Sequence, residues 1–315
     1  MSVPPPAIRD PLGTLTDINL ADLLDAAGLQ WLGHTPLRRL LRPPARRFAQ
    51  LALGFDQRVG AHGLAAGSAW LLQHMTAGLE LRGARQLPPS GALLVLANHP
   101  GMTDTVSLLT ALAVRPDLRV VAGDRPFLRA LPHVARSLIL LPEGGGAQLQ
   151  VLRAAVAHLQ RDGALLTFPA GCIEPDPATF GAPQALHSLQ RWSDSMVLLA
   201  RRVPQLRWLV ALVSNVVSAQ TQRHALTRLR RSAADRQKLA AALQVALPRY
   251  HHLTARVDFG PLQPAGHGDA AALRATMLAQ ARQLIESLPR NTTDAADAAA
   301  RRGAIGGGEW RLVQR

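Results

Sequence analysis

The sequence predicts an α/β fold: a mostly parallel central sheet flanked by helices and preceded by an N-terminal helical region. Beyond residue 79, short apolar runs such as Ala92–Ala97 and Ala164–Phe168 lack the polar alternation of half-exposed strands. They read as strands buried on both faces. Longer segments of helical period separate these runs, as the crossovers of a parallel sheet require. Before residue 79 the apolar positions recur instead at steps of three and four, as in Phe48, Leu51, Phe55 and Val59. That is the stripe of an amphipathic helix.

Taken in order, residues 1–16 read as a flexible Pro-rich tail and 17–78 as the helical region. The stretch Val59–Leu79 contains no Asp, Glu, Lys or Arg but carries Trp70, Leu71, Leu72 and Met75. It reads either as cover for the core or as a surface that docks on a membrane interface. The α/β domain spans 79–289. Its strands are expected at 79–82, 92–97, 118–122, 138–141, 164–168, 209–213 and 254–259. Helices are expected at 104–114, 147–160, 193–202, 222–247 and 269–287. Residues 290–315, which include DAADAAA and GAIGGGEW, read as a disordered, low-complexity tail.

Composition narrows the function classes. Hydrophobic residues make up 48% of the 315 and the mean hydropathy is +0.06, which excludes wholesale disorder. The single cysteine, Cys172, excludes a disulfide framework and a Cys-rich zinc site. Lys plus Arg number 35 against 21 for Asp plus Glu, a formal charge of +14, and Lys238 is the sole lysine. This excess attracts nucleic acid, an anionic membrane surface or anionic ligands, or it reflects arginine on solvated faces. Its densest part is Arg38, Arg39, Arg42, Arg46 and Arg47. No run of about 18 apolar residues marks a transmembrane helix, and the start, MSVPPPAIRD, lacks the features of a secretory signal. A cytoplasmic chain, peripheral on the cytoplasmic face of the membrane, is expected.

The chemistry concentrates in Leu94–Asp104, where a buried strand ends in Asn98-His99, a Pro100-Gly101 turn follows, and Asp104 stands five residues after His99 at a helix start. Ligands bind at such strand ends in open α/β sheets. The turn lets Asp104 fold back onto the imidazole, where it would fix the tautomer and leave Nε2 to accept a proton. The alternative role for Asp104 is capping the following helix. No Gly-x-Ser-x-Gly elbow is present, and the triple glycine Gly144–Gly146 lacks a following Lys-Ser/Thr.

The block NHPGMTD, a His-x4-Asp motif, resembles the first signature of the PlsC-type glycerolipid acyltransferases. Phe168-Pro169-Ala170-Gly171, about 65 residues on, resembles that family's Phe-Pro-Glu-Gly-Thr-Arg block. The resemblance covers roughly residues 80–260. It implies direct acyl transfer, with His99 as general base and Asp104 stabilising the imidazolium. Asn98, Gly101, Phe168, Pro169, Gly171 and Glu174 are expected around the acyl and acceptor groups, with backbone N–H groups near Gly171 facing the oxyanion. It implies no metal and no redox cofactor. The acyl thioester, on coenzyme A or acyl carrier protein, is a co-substrate, and the partners are a lipid acceptor and an anionic membrane surface. A non-catalytic lipid-surface or, less favoured, nucleic-acid-binding protein on the same scaffold is the competing reading.

The chain departs from the family pattern at informative points. Ala170 stands where the family has Glu, Ile173 where it has Arg, and Leu138–Pro142 ends without the family's other arginine. Those arginines hold the acceptor's phosphate in the family, a task for which the planar guanidinium fork is suited. Their loss argues against a phosphomonoester acceptor, with Arg125 and Arg129 the nearest replacements in sequence. Glu143 and Glu174 stand in their place. Either they favour an amine-bearing or neutral acceptor, or they are solvated loop residues.

Overall fold

The computed structural model describes residues 10–36, 38–142, 144, 146, 148–265, 269–288 and 310–315. Three helices come first: α1 (Pro11–Ala27), α2 (Arg38–His62) and α3 (Leu64–Gln73). α1 begins inside the stretch expected to be a loose tail, for a local reason. The Asp10 side chain accepts from the Gly13 N–H at 2.9 Å and Pro11 takes the first helical position, both favourable at a helix start. The chain continues through β1 (Gly78–Arg82), β2 (Leu93–Ala97), α4 (Thr103–Ala111), β3 (Arg119–Gly123), α5 (Pro126–Arg129), α6 (Pro132–Ala135) and β4 (Leu138–Leu141). Next come α7 (Gln148–Leu159), β5 (Ala164–Thr167), α8 (Pro177–Phe180), α9 (Ala182–Ser188), α10 (Ser195–Arg202) and β6 (Arg207–Ser214). α11 (Ala219–Gln222), α12 (Ala233–Ala246), β7 (Thr254–Phe259), β8 (Gln263–Pro264), α13 (Ala270–Glu286) and β9 (Arg311–Gln314) complete the described residues.

The strands form one sheet in the order β4-β3-β5-β2-β6-β7-β1-β9, with β8 paired to β6. The pairs of β6 with β7 and with β8 are antiparallel; β2 is parallel to both neighbours, β5 and β6. The fold is therefore a mostly parallel sheet with helices on both faces and a helical region before it. β2 shows why it lies in the middle. Leu93, Val95 and Ala97 pack on one face with Leu108 and Leu112 of the α4 region, while Leu94 and Leu96 pack on the other with Leu159, Met196 and Met277. All five β2 residues are buried.

Two further expectations are corrected, and one open alternative is resolved. The polar stretch 222–247 is not one helix: a 3₁₀ turn at Ala225–Leu229 precedes α12, which starts anew where Ser232 accepts from the Asp235 N–H at 3.0 Å. The apolar stretch around Trp70 is core cover, because Leu71, Leu72 and Met75 are buried and the Arg58 guanidinium lies 3.9 Å from the Trp70 ring centroid. The last six residues of the expected disordered tail are ordered. β9 runs parallel to β1, and the Trp310 indole donates to the Thr76 hydroxyl at 3.3 Å. The rest of that tail lies outside the described residues, as does Glu143.

The connections around β2 create the site. After β2 the chain crosses to α4 on one face, whereas after β5, its neighbour, it crosses to α9 and α10 on the other. Adjacent strand ends whose connections part in this way leave a crevice. The loop after β5 is tied to the loop after β6 by Asp176, whose fully buried carboxylate accepts from the N–H groups of Ala178, Asn215, Val216 and Val217 at 2.8–3.0 Å. Asp176→Ala leaves these donors without an acceptor. It is expected to lower the unfolding free energy by about 3 kcal/mol, measured by urea denaturation.

Candidate active site

Asn98 is the first residue beyond β2. Its amide donates to the Val213 carbonyl at 2.9 Å and its side-chain oxygen accepts from the Val213 N–H at 2.7 Å. Both polar ends extend the β2–β6 ladder, and the residue is buried. Asn98, expected beside the acyl and acceptor groups, thus links β2 to β6 through its side chain. The next residue, His99, is thereby presented at the carboxyl end of the most central strand.

The Pro100-Gly101 turn brings Asp104 back to the imidazole. His99 Nδ1 lies 2.7 Å from Asp104 Oδ2, which also accepts from the Gly101 N–H at 3.1 Å. The other oxygen accepts from the N–H and the hydroxyl of Thr105. Asp104 thus holds the imidazole but does not cap the helix: it lies inside α4, whose N-cap residue, Met102, makes no side-chain capping bond. Its side chain has no exposed surface, while that of His99 is 30% exposed. With an acceptor-only carboxylate at Nδ1, that nitrogen carries the proton and Nε2 is left to accept one. Burial pulls the imidazole pKa down, but the charge and hydrogen bond of Asp104, with the charge of Glu174, outweigh it and raise the net value above the ordinary histidine range.

Gly101 is buried, and a Cβ there would lie 3.1 Å from a methyl of Val217. It serves the close packing of the turn rather than an open binding surface. Phe168, just beyond β5, sets its ring 4.7 Å from the imidazole, tilted by 36°. Pro169 is buried behind it, and its carbonyl accepts from the Ser193 N–H at 3.0 Å. Gly171 is exposed with φ +63°, a backbone conformation that side chains with a Cβ rarely adopt. Its N–H donates to the Phe168 carbonyl at 3.0 Å. That bond closes a turn and occupies this N–H. Cys172 beside it is exposed.

Glu174 departs furthest from expectation. It is 1% exposed, so it faces neither solvent nor an acceptor. Its Oε2 accepts from the His99 N–H at 3.0 Å, and its own N–H donates to the His99 carbonyl at 2.8 Å. Oε1 accepts from the Ser188 hydroxyl at 2.9 Å and the Trp192 indole at 3.0 Å. Sequence reasoning missed Ser188, Trp192 and the bonding of Asp176. Asp176-Pro177 did carry a helix-start signal, but no spacing links the other two to His99. Ile173 is half-buried and packs against the core. Of the two arginines proposed to replace the family's pair, Arg129 is bonded to Asp124, and the charge of Arg125 acts on Asp22, partly opposing the burial that raises that carboxyl's pKa. Among the described residues no group of three or more His, Cys, Asp or Glu is placed to hold a metal ion.

No protein-family model matches this chain, and no curated protein matches it. Among solved structures it is similar to the 1-acyl-sn-glycerophosphate (LPA) acyltransferase PlsC from Thermotoga maritima. The two share 16% identity over 90% of this chain and 100% of that one, with a TM-score of 0.43.

The site geometry makes a direct prediction. The His99 imidazole titrates above the ordinary histidine value, and Asp104→Asn brings its midpoint down, because desolvation then acts with less opposition. Imidazole NMR over a pH series checks both.

Proposed function

We propose that this protein moves a fatty acyl group from an acyl thioester, on coenzyme A or acyl carrier protein, to a hydroxyl of a lysophospholipid or related lipid acceptor. The observation that carries the reading is the 2.7 Å contact of His99 Nδ1 with the unexposed Asp104 carboxylate. It occurs within the His-x4-Asp motif and at a crevice between strand ends. Nε2 takes the proton from the acceptor hydroxyl as its oxygen attacks the thioester carbonyl, and Asp104 stabilises the resulting imidazolium. Collapse of the tetrahedral adduct breaks the carbon–sulfur bond, and the imidazolium returns its proton to the departing thiolate. Phe168 shields one side of the ring, so the proton transfers occur next to an apolar surface.

The acceptor follows from the charges near the crevice. Glu174 is enclosed, so it lends no preference for an amine. Ile173 supplies no cation, and Arg129 already has a carboxylate partner in Asp124. A phosphomonoester needs paired cations, so zwitterionic or uncharged lysolipids are the better acceptors. His99→Ala should lower acyl transfer by about 10²–10⁴-fold. In the parent enzyme, lysophosphatidate should show a smaller kcat/KM than a zwitterionic lysolipid with the same donor, measured by thiol release. Because the base must be neutral, the rate should rise with pH through a midpoint above the ordinary histidine value. A rate that falls across that window overturns the assignment of His99.

The same reading places the protein on an anionic membrane surface. No helix among the described residues is long and apolar enough to cross a membrane. Leu40, 74% exposed, directly follows the exposed Arg38 and Arg39, with Trp31, 62% exposed, before them and the exposed Arg46 and Arg47 after. Exposed aromatic and leucine side chains beside cations suit the headgroup region. Vesicles containing anionic lipid should bind the protein, and high salt should weaken binding. Combined Trp31→Ala and Leu40→Ala should weaken it further at fixed salt, as measured by vesicle flotation.

A further inference from the structure

The first side-chain neighbour of His99, Asp104, belongs to the motif. The second contact is made through the His99 backbone and comes from 75 residues away. The N–H and the C=O of His99 both bond to one residue, Glu174: the N–H to its carboxylate at 3.0 Å and the C=O to its N–H at 2.8 Å. This closes a ring across the crevice between the turn after β2 and the loop after β5. The far oxygen of the carboxylate is fixed by Ser188, at the end of α9, and by Trp192. Glu174, Ser188 and Trp192 are each 3% exposed or less.

We propose that Glu174 is a positioning residue for His99, holding the backbone that carries the imidazole while placing a second carboxylate charge beside it. This rests on the reading of His99 as the base. The requirement is for a carboxylate rather than an amide. The His99 N–H and the Trp192 indole N–H are both obligatory donors, and they meet opposite oxygens. Glutamine would turn its NH₂ toward one of them. Burial pushes the Glu174 carboxyl above the ordinary range, and the indole, the hydroxyl and the His99 N–H oppose that push. The charged groups that act on the imidazole are Asp104 from the start of α4 and Glu174 from the loop after β5, while the Phe168 ring covers it from the end of β5.

Glu174→Gln and Glu174→Asp separate the two parts of the role. The glutamine variant keeps the shape and loses the charge; the aspartate variant keeps the charge and shortens the reach. Both are expected to lose about 10- to 100-fold in kcat with little change in the KM of the acyl thioester, as misplacement of a base does. Glu174→Gln alone should move the His99 midpoint, and with it the acid limb of the rate profile, to lower pH. Aspartate should restore the midpoint toward that of the parent. An unmoved midpoint in Glu174→Gln, or a rate equal to that of the parent, overturns the inference. If Glu174→Gln does not fold, Trp192→Phe replaces it. Loss of the indole donor makes the carboxylate harder to ionise, so the His99 midpoint should fall by a smaller amount, and an unmoved midpoint overturns the inference here too. Imidazole NMR reads His99 without turnover. A parent that transfers no acyl group from any thioester therefore refutes the proposed activity, while the NMR shift decides the role of Glu174 separately.

Discussion

A carboxylate with no exposed surface is tolerable only where hydrogen bonds replace its water, and Asp104 meets that condition within one turn of chain. Its partners are His99 Nδ1, the Gly101 N–H and both donors of Thr105. These bonds dictate the shape of the segment between β2 and α4. The chain has to reverse at Pro100-Gly101 so that the imidazole and the helix start reach the same two oxygens. A side chain at Gly101 would crowd a methyl of Val217, which packs against the reversal. The orientation of His99, and hence any chemistry at Nε2, follows from satisfying one buried charge.

Two further buried carboxylates, Glu174 and Asp176, stand two residues apart on the loop after β5. They face different loops. Glu174 engages the turn after β2 through His99, and Asp176 engages the loop after β6 through three successive N–H groups, Asn215 to Val217. One short segment therefore joins the ends of the three central strands. Asn98 adds the direct link from β2 to β6 through Val213. The rim of the crevice is held by polar bonds that are shielded from water, which makes each of them costly to break.

Strands such as β2 and β5 were legible because burial on both faces leaves an uninterrupted apolar run, whereas β1 and β7 alternate apolar residues with charged or polar ones. The seven expected runs correspond to β1–β7. β8 and β9 were not legible: two residues at Gln263–Pro264 and the four of Arg311–Gln314 are too short or too polar to show a period. The break before α12 was hidden because the 3₁₀ turn keeps helix-like spacing and only Ser232 marks the new start. In the site, His99 and Asp104 were legible because a turn at fixed spacing joins them. Glu174 was visible as an oddity, but its enclosure was not, since burial is a tertiary property. A glutamate amid prolines reads as surface until Ser188 and Trp192 are seen to enclose it.

Strand β9 has a consequence of a different kind. It occupies the edge of the sheet beside β1, and the half-exposed Leu312 and Val313 lie on it. Such an edge offers unpaired N–H and C=O groups to any other extended chain. Arg311 and Arg315 flank those two apolar residues, so a second copy approaching in register would bring like charges together. The charges along this sheet edge, Arg311 and the Glu80-paired Arg315, thus come from residues well away in sequence from those that build the crevice.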